Sequence, residues 1–215
     1  MIIKVCGITD YQNAIAISLL SIDILGLIFY PGSKRFVTDN HLGAKIKEYN
    51  PEVKICGVFV NPSQDEIQNK MLIHHLDFLQ IYALSDLTML NIIKSNFPTV
   101  KIILAQEVDH FMNNTKSISQ ADLLLVDSAS PSSNGLYGGS GKKFNWQILN
   151  SHLSTKPFIL SGGISESNIQ QIFDINNPSL VGIDLNSQFE KALGIKDLQK
   201  LNDTLIKFRN YENRL

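Results

Sequence analysis

A regular alternation of short apolar runs with longer amphipathic segments is the feature that most constrains the fold of this 215-residue chain. Eight apolar runs have the length and composition of strands: residues 2–6, 24–29, 54–60, 77–81, 100–105, 122–127, 157–161 and 180–184. Segments with helical spacing follow them: the residues after Asp10, which is the predicted N-cap, then 39–49, 64–75, 86–96, 108–118, 145–150, 165–174 and 196–208. This order predicts an α/β fold, a single-domain (β/α)8 TIM barrel over residues 1–215.

An open, doubly wound parallel sheet is the alternative arrangement for the same alternation. The G-x-G-x-x-G motif that many such sheets carry after their first strand does not occur here, so the barrel is favoured. A length of 215 residues lies near the lower end for a (β/α)8 barrel, and it predicts short loops.

The composition indicates which partners the chain lacks. A formal net charge of −1 offers no electrostatic basis for binding nucleic acid or an anionic membrane. Two cysteines do not make a disulfide framework, and their use fits a reducing compartment. The first twenty residues lack the pattern of a signal peptide, and no apolar run approaches the ~20 residues of a membrane helix. We therefore expect a soluble, cytoplasmic protein.

The first strand carries an unusual pair of side chains. Alternation along residues 2–6 places Lys4 and Cys6 on one face, and that face is the barrel interior if the strand ends at an active site. A buried lysine needs a charged partner. Since the eighth strand neighbours the first in a closed barrel, we predict that Lys4 pairs with Asp184.

Chemistry in a (β/α)8 barrel occurs at the carboxyl ends of the strands, where Cys6 and Asp127 stand. Cys6 is either a general base or nucleophile, or a small buried apolar residue. Asp127 is either a general acid or base, or an acceptor of hydrogen bonds from a loop. Arg35, after a Pro-Gly turn, is either a bidentate carboxylate ligand or a solvated cation. Cys56 lies in the middle of a strand, and a structural role is favoured for it.

Glycine-rich turns after the late strands predict a phosphate site. Gly162 and Gly163 follow the seventh strand, and the backbone from Asp184 through Asn186 to Ser187 follows the eighth, where barrel enzymes often bind phosphate. A further loop at residues 138–142 is not a Walker A motif, because its spacing is wrong. The adjacent residues 74 and 75 are the only histidine pair, and their spacing does not indicate a metal site.

The order of these motifs resembles a known family from end to end. The matching stretches are residues 4–9, 26–37, 57–61, 127–128, 138–146, 160–164 and 182–184. They resemble the phosphoribosylanthranilate isomerases of tryptophan biosynthesis.

That resemblance implies a (β/α)8 barrel that catalyses an Amadori rearrangement of a small phosphosugar substrate without a cofactor. It implies that Cys6 is the general base, that Asp127 is the general acid and that Arg35 holds the anthranilate carboxylate. The phosphate would lie against the loops after strands seven and eight. We accordingly expect a raised pKa for Asp127, a lowered pKa for Cys6, and a monomer or homodimer.

The chain departs from the family pattern in two places. After the fourth strand the family commonly has Gln-Leu-His-Gly, whereas this chain has residues 80–83, Gln-Ile-Tyr-Ala. The resemblance therefore assigns no role to Tyr82 and Ala83. After the eighth strand the usual Asp-Val-Ser-Ser-Gly-Val-Glu is Asp-Leu-Asn-Ser-Gln-Phe-Glu at residues 184–190, so one glycine near the expected phosphate site is missing.

Two other classes of phosphosugar barrel remain as alternatives. The first class is another enzyme. A ribulose-phosphate epimerase would need metal-binding histidines at strand ends, and this chain has none there. An indole-glycerol-phosphate synthase would need a catalytic lysine at a strand end, but Lys4 and Lys101 lie too early in their strands. The second class is a non-catalytic barrel that only binds a phosphosugar, and such a protein would not need both Cys6 and Asp127.

Overall fold

The computed structural model describes residues 1–84, 86–113, 120–128, 144–152 and 154–214, and it contains a closed barrel of parallel strands. The strands pair in chain order and the last pairs with the first, which confirms the predicted barrel. They are β1 (Ile2–Cys6), β2 (Ile24–Ile28), β3 (Lys54–Val60), β4 (Phe78–Tyr82), β5 (Lys101–Glu107), β6 (Leu123–Asp127), β7 (Phe158–Leu160) and β8 (Leu180–Leu185). Each lies within two residues of its predicted bounds.

The α-helices of the described residues are α1 (Tyr11–Ser18), α2 (Leu42–Tyr49), α3 (Gln64–His74), α4 (Thr88–Asn96), α5 (Val108–Asn113) and α6 (Leu198–Glu212). The Asp10 side chain accepts a hydrogen bond from the Asn13 N–H at 2.7 Å, which confirms the predicted N-cap of α1. The remainder of the helix predicted at 108–118 lies outside the described residues. None of the helices described is both long and apolar enough to span a membrane.

Two of the segments predicted to be helical form 3₁₀ helices rather than the α-helices of a regular (β/α)8 barrel. They are η1 (Trp146–Ser151) and η2 (Ile169–Asp174). A six-residue segment closes few i→i+4 hydrogen bonds, and the tighter i→i+3 pattern is common in such short pieces. The sequence also did not predict a further 3₁₀ helix, η3 (Ser187–Phe189), or the antiparallel pair β9 (Glu190–Ala192) and β10 (Ile195–Lys196), all of which follow β8.

Two apolar layers flank the strands. The interior layer is a cluster of Cys6, Ile24, Cys56, Val58, Ile103, Leu125 and Ile159. The outer layer, between strands and helices, includes Ile3 and Val5, so β1 alternates between the layers as predicted. Burial of an aliphatic side chain stabilises the fold by about 1.5–3 kcal/mol. Cys56 is fully buried in the interior layer, which agrees with the structural role favoured for it.

A buried ion pair lies where β8 closes on β1. The register places Lys4 beside Asp184, and the Lys4 Nζ lies 2.9 Å from Asp184 Oδ1. The Lys4 side chain is fully buried, and the Ser161 hydroxyl donates to Asp184 Oδ2 at 3.4 Å. The predicted pairing of Lys4 with Asp184 is therefore confirmed.

Replacing this lysine should leave a buried carboxylate without its counter-charge. We expect Lys4→Met to lower the free energy of unfolding by about 3–5 kcal/mol, measured by urea denaturation. A double variant, Lys4→Met with Asp184→Leu, removes both charges and should recover much of that loss. Lys34→Met, at an exposed lysine, is the control and should change stability by about 0.5 kcal/mol or less. A Lys4→Met protein as stable as this control would contradict the role of the pair.

Candidate active site

One pocket opens at the carboxyl ends of the barrel strands, where (β/α)8 barrels place their active sites. Its lining includes every site residue that the sequence predicted: Cys6, Arg35, Asp127, Gly162, Gly163, Asp184, Asn186 and Ser187. The thiol that ends β1 and the carboxyl that ends β6 therefore face the same space. The glycine-rich loop at residues 138–142 lies outside the described residues.

Two glycines make room for the groups around the thiol. A Cβ on Gly26, the neighbour of Cys6 on β2, would lie 2.7 Å from the Cys6 Sγ. Gly7 has a φ of +75°, and a Cβ there would lie 2.6 Å from Arg35 Cδ and 2.7 Å from Asn186 Oδ1. A side chain at either position would displace the groups that line the pocket, and Gly7 also has a backbone conformation that favours glycine.

The electrostatic setting of Cys6 differs from the expected one. The side chain is only 3% exposed, and burial raises its pKa more than the neighbouring cations lower it. Lys4 and Lys196 favour the thiolate, whereas the Asp184 carboxylate opposes it. The expectation of a lowered pKa was therefore wrong, because little solvent reaches the sulfur and the Asp184 carboxylate also opposes the thiolate.

Asp127 is buried and held by hydroxyl groups from two sides. The Tyr82 hydroxyl donates to Asp127 Oδ2 at 3.2 Å, and the Ser128 hydroxyl lies 3.4 Å from Oδ1. The Gln80 Nε2 in turn donates to the Tyr82 oxygen at 3.3 Å. Sequence reasoning assigned no role to Tyr82, although the departure from the family pattern at this position was the signal that could have identified it. The raised pKa expected for Asp127 stays a prediction.

Arg35 is held in a bidentate ion pair that sequence reasoning missed. Its Nε and Nη2 each donate to a carboxylate oxygen of Glu190 at 2.7 Å, while Nη1 takes no part in this pair. The Lys196 Nζ donates to Glu190 Oε1 at 2.9 Å and to Asn186 Oδ1 at 2.8 Å. Burial alone would raise the pKa of Glu190, but hydrogen bonds from both cations hold it below its usual value. Glu190 was visible in the sequence as the last residue of the stretch 184–190.

The loop after β7 brings backbone close to the pocket. Gly162 and Gly163 have φ values of +91° and +69°, and a Cβ on Gly162 would lie 2.3 Å from the Ser128 hydroxyl oxygen. Across from them, Asn186 and Ser187 line the pocket at the start of η3. Backbone amides in such turns are suited to binding an anion. Among the residues described, no group of three or more His, Cys, Asp or Glu side chains is arranged to hold a metal ion.

These features define a class of protein. A (β/α)8 barrel with a thiol, a carboxyl and a guanidinium at the carboxyl ends of its strands has the groups for acid–base chemistry on an anionic substrate. Gly162 and Gly163, beside Ser161, line the pocket at the same rim.

Comparison with known proteins gives the family. The model of the N-(5′-phosphoribosyl)anthranilate (PRA) isomerase family matches residues 3–206. Among curated relatives, N-(5′-phosphoribosyl)anthranilate isomerase of Parabacteroides distasonis is 35% identical, and the match covers 94% of this chain and 91% of that protein. The isomerase of Nostoc punctiforme is 32% identical over 99% of this chain and 100% of its own. Phosphoribosyl anthranilate isomerase of Thermotoga maritima has a similar structure, with a TM-score of 0.79, 27% identity and coverage of 98% and 99%. The chain belongs to the N-(5′-phosphoribosyl)anthranilate isomerase family.

The burial of the Cys6 thiol has a measurable consequence. We expect thiolate absorbance in a Cys56→Ala variant to rise with a midpoint above the ordinary cysteine pKa of about 8.5, because desolvation disfavours the charged form. The double variant that also carries Cys6→Ala provides the baseline. A midpoint below about 8.5 would show that Lys4 and Lys196 outweigh burial.

Proposed function

We propose that this chain isomerises N-(5′-phosphoribosyl)anthranilate to 1-(o-carboxyphenylamino)-1-deoxyribulose 5-phosphate in tryptophan biosynthesis, with Cys6 as general base and Asp127 as general acid. The observation that carries the proposal is that both groups line one pocket, together with Arg35, in a member of this isomerase family. A cytoplasmic location, and a monomer or homodimer, belong to the same proposal.

The first step is opening of the ribose ring. Protonated Asp127 gives its proton to the furanose ring oxygen, and the bond from that oxygen to C1′ breaks. The bonding electron pair stays on the oxygen, while the nitrogen lone pair forms a C=N bond to C1′. Asp127 is left as a carboxylate that accepts hydrogen bonds from Tyr82 and Ser128.

The second step is removal of the proton on C2′, which the protonated C=N bond acidifies. The Cys6 thiolate takes this proton, and the electron pair forms a C1′–C2′ double bond and neutralises the nitrogen. The resulting enol becomes the ketose when C1′ gains a proton and the C2′ hydroxyl loses its proton to form the carbonyl. The positive charges of Lys4 and Lys196 lower the free energy of forming the Cys6 thiolate, and a buried thiolate is a strong base once it forms.

Binding of the substrate uses the remaining polar groups of the pocket. The ion pair with Glu190 fixes the plane of the Arg35 guanidinium. Nη1 can therefore bind the anthranilate carboxylate without a change of the Arg35 rotamer. The Gly162–Gly163 turn, Asn186 and Ser187 are positioned to bind the phosphate through backbone and hydroxyl groups. Asp184 lines the same wall, with one oxygen already engaged by Lys4.

Loss of either acid–base group should abolish most turnover while leaving the fold intact. We expect Cys6→Ser and Asp127→Asn each to lower kcat by about 10²–10⁴-fold, in a fluorescence assay that follows consumption of phosphoribosylanthranilate. Cys56→Ser is the matched control for the thiol, since Cys56 lies deep in the barrel interior. Near-normal turnover in either variant would refute the role assigned to that residue.

A lysine in place of Arg35 keeps the charge but loses the planar fork. We expect Arg35→Lys to raise KM by about tenfold or more with a smaller effect on kcat, because the variant loses Nη1, which is proposed to bind the substrate carboxylate, and the paired hydrogen bonds to Glu190 that orient it. Lys34→Met, at the neighbouring exposed cation, serves as the control. An unchanged KM would show that Arg35 does not bind the substrate.

A further inference from the structure

The end of β4 is where this chain departs from the family pattern and also where it contacts the proposed acid. Tyr82 occupies the position at which the family commonly has histidine, and Ala83 follows with a φ of +50° where the family commonly has glycine. A non-glycine residue in this left-handed region is uncommon, so the local backbone is held by its surroundings.

We propose that Tyr82 is a positioning residue for the general acid: its hydroxyl, aimed by Gln80, orients the Asp127 carboxyl and stabilises the carboxylate that remains after proton donation. The inference rests on the proposed role of Asp127, and it adds a role for a residue that the family resemblance left without one.

The geometry of the barrel rim supports this contact. Tyr82 ends β4 and Asp127 ends β6, so the phenol ring crosses over the end of β5 to reach the carboxyl at 3.2 Å. Gln80 lies two residues earlier on the same strand, and it faces the pocket with Tyr82 because alternate residues share a face. With 1% exposure, Gln80 is shielded from competing water.

The directions of the two hydrogen bonds make the Tyr82 hydroxyl a donor to Asp127. The amide nitrogen of Gln80 is a donor only, so its contact with the Tyr82 oxygen at 3.3 Å uses an acceptor position of the hydroxyl. The hydroxyl proton is then available to Asp127 Oδ2. A donor at that position stabilises the carboxylate form of Asp127 relative to the acid.

The charge that develops on Asp127 makes this donor useful. Proton transfer to the ring oxygen converts a neutral carboxyl into a carboxylate that is 5% exposed, and the Asp184 carboxylate lines the same pocket. A fixed donor aimed at a charge that appears during the reaction lowers the barrier. A phenol suits this role, since burial and the nearby carboxylates raise its pKa well above the usual value and keep its proton in place. Among the described residues, the titratable groups that act on it are Asp127 from β6, Asp184 from β8 and Cys6 from β1.

Removal of the hydroxyl tests the inference through kcat and the pH profile. We expect Tyr82→Phe to lower kcat by about 10- to 100-fold with KM within about threefold of the wild type; a well-aligned oxyanion donor is worth about 10²–10³. The alkaline limb of the kcat profile, where the acid loses its proton, should move to higher pH. Tyr82→His restores a donor and should recover much of kcat. Tyr49→Phe removes an exposed hydroxyl on α2 and should leave both readouts unchanged.

A double-variant cycle separates positioning of the acid from a general structural role. If Tyr82 acts through Asp127, Tyr82→Phe should cause no further loss in an Asp127→Asn background. Losses that multiply would overturn the inference. Gln80→Leu, which keeps the phenol but removes its orienting donor, should give a smaller fall in kcat and the same direction of limb shift. It provides the test should Tyr82→Phe fail to fold.

The two proposals fail in different ways. If Asp127→Asn keeps near-normal turnover, the assignment of the acid is wrong and the inference falls with it. If Asp127→Asn is inactive but Tyr82→Phe has a wild-type kcat and pH profile, the proposed function stands and only the role of Tyr82 is overturned.

Discussion

Closure of the barrel by hydrogen bonding between β8 and β1 is the constraint on which the rest of the structure depends. It brings the carboxyl ends of strands from the whole chain to one rim, so that Cys6 and Asp127, which are 121 positions apart in the sequence, line a single pocket. The same closure sets Lys4 against Asp184, residues 180 positions apart. The ion pair is therefore both a product of closure and the reason that a lysine is tolerated in the barrel interior.

The charged side chains of this site lie in ion pairs that are largely shielded from solvent. Lys4 pairs with Asp184, whereas Arg35 and Lys196 both pair with Glu190. Pairs of this kind fix the orientation of each side chain, and fixed dipoles and charges are more effective than mobile ones at a reacting centre. The pKa of Cys6 is raised first by burial of the thiol, and the Asp184 carboxylate that pairs with Lys4 also opposes the thiolate.

Much of the fold and the site was accessible from the sequence because the signals are local. Apolar runs of strand length, caps such as Asp10 and glycine turns each depend on a few neighbouring residues, and they located all of the barrel strands and the residues at their ends. The identity of the 3₁₀ helices was not accessible, because α and 3₁₀ segments of six residues have the same apolar pattern. The hairpin of β9 and β10 is too short to give a pattern of its own.

The sequence by itself determined the order of the strands and which chemical groups stand at their ends, because periodicity places a side chain on a face of its own strand. Only the tertiary structure decided what those groups contact: Glu190 for Arg35, 155 residues away, and Tyr82 for Asp127. It also decided the sign of the pKa shift of Cys6, because that sign is a balance of burial against charges on other strands. Such a balance depends on distances in space, which no pattern along the chain records.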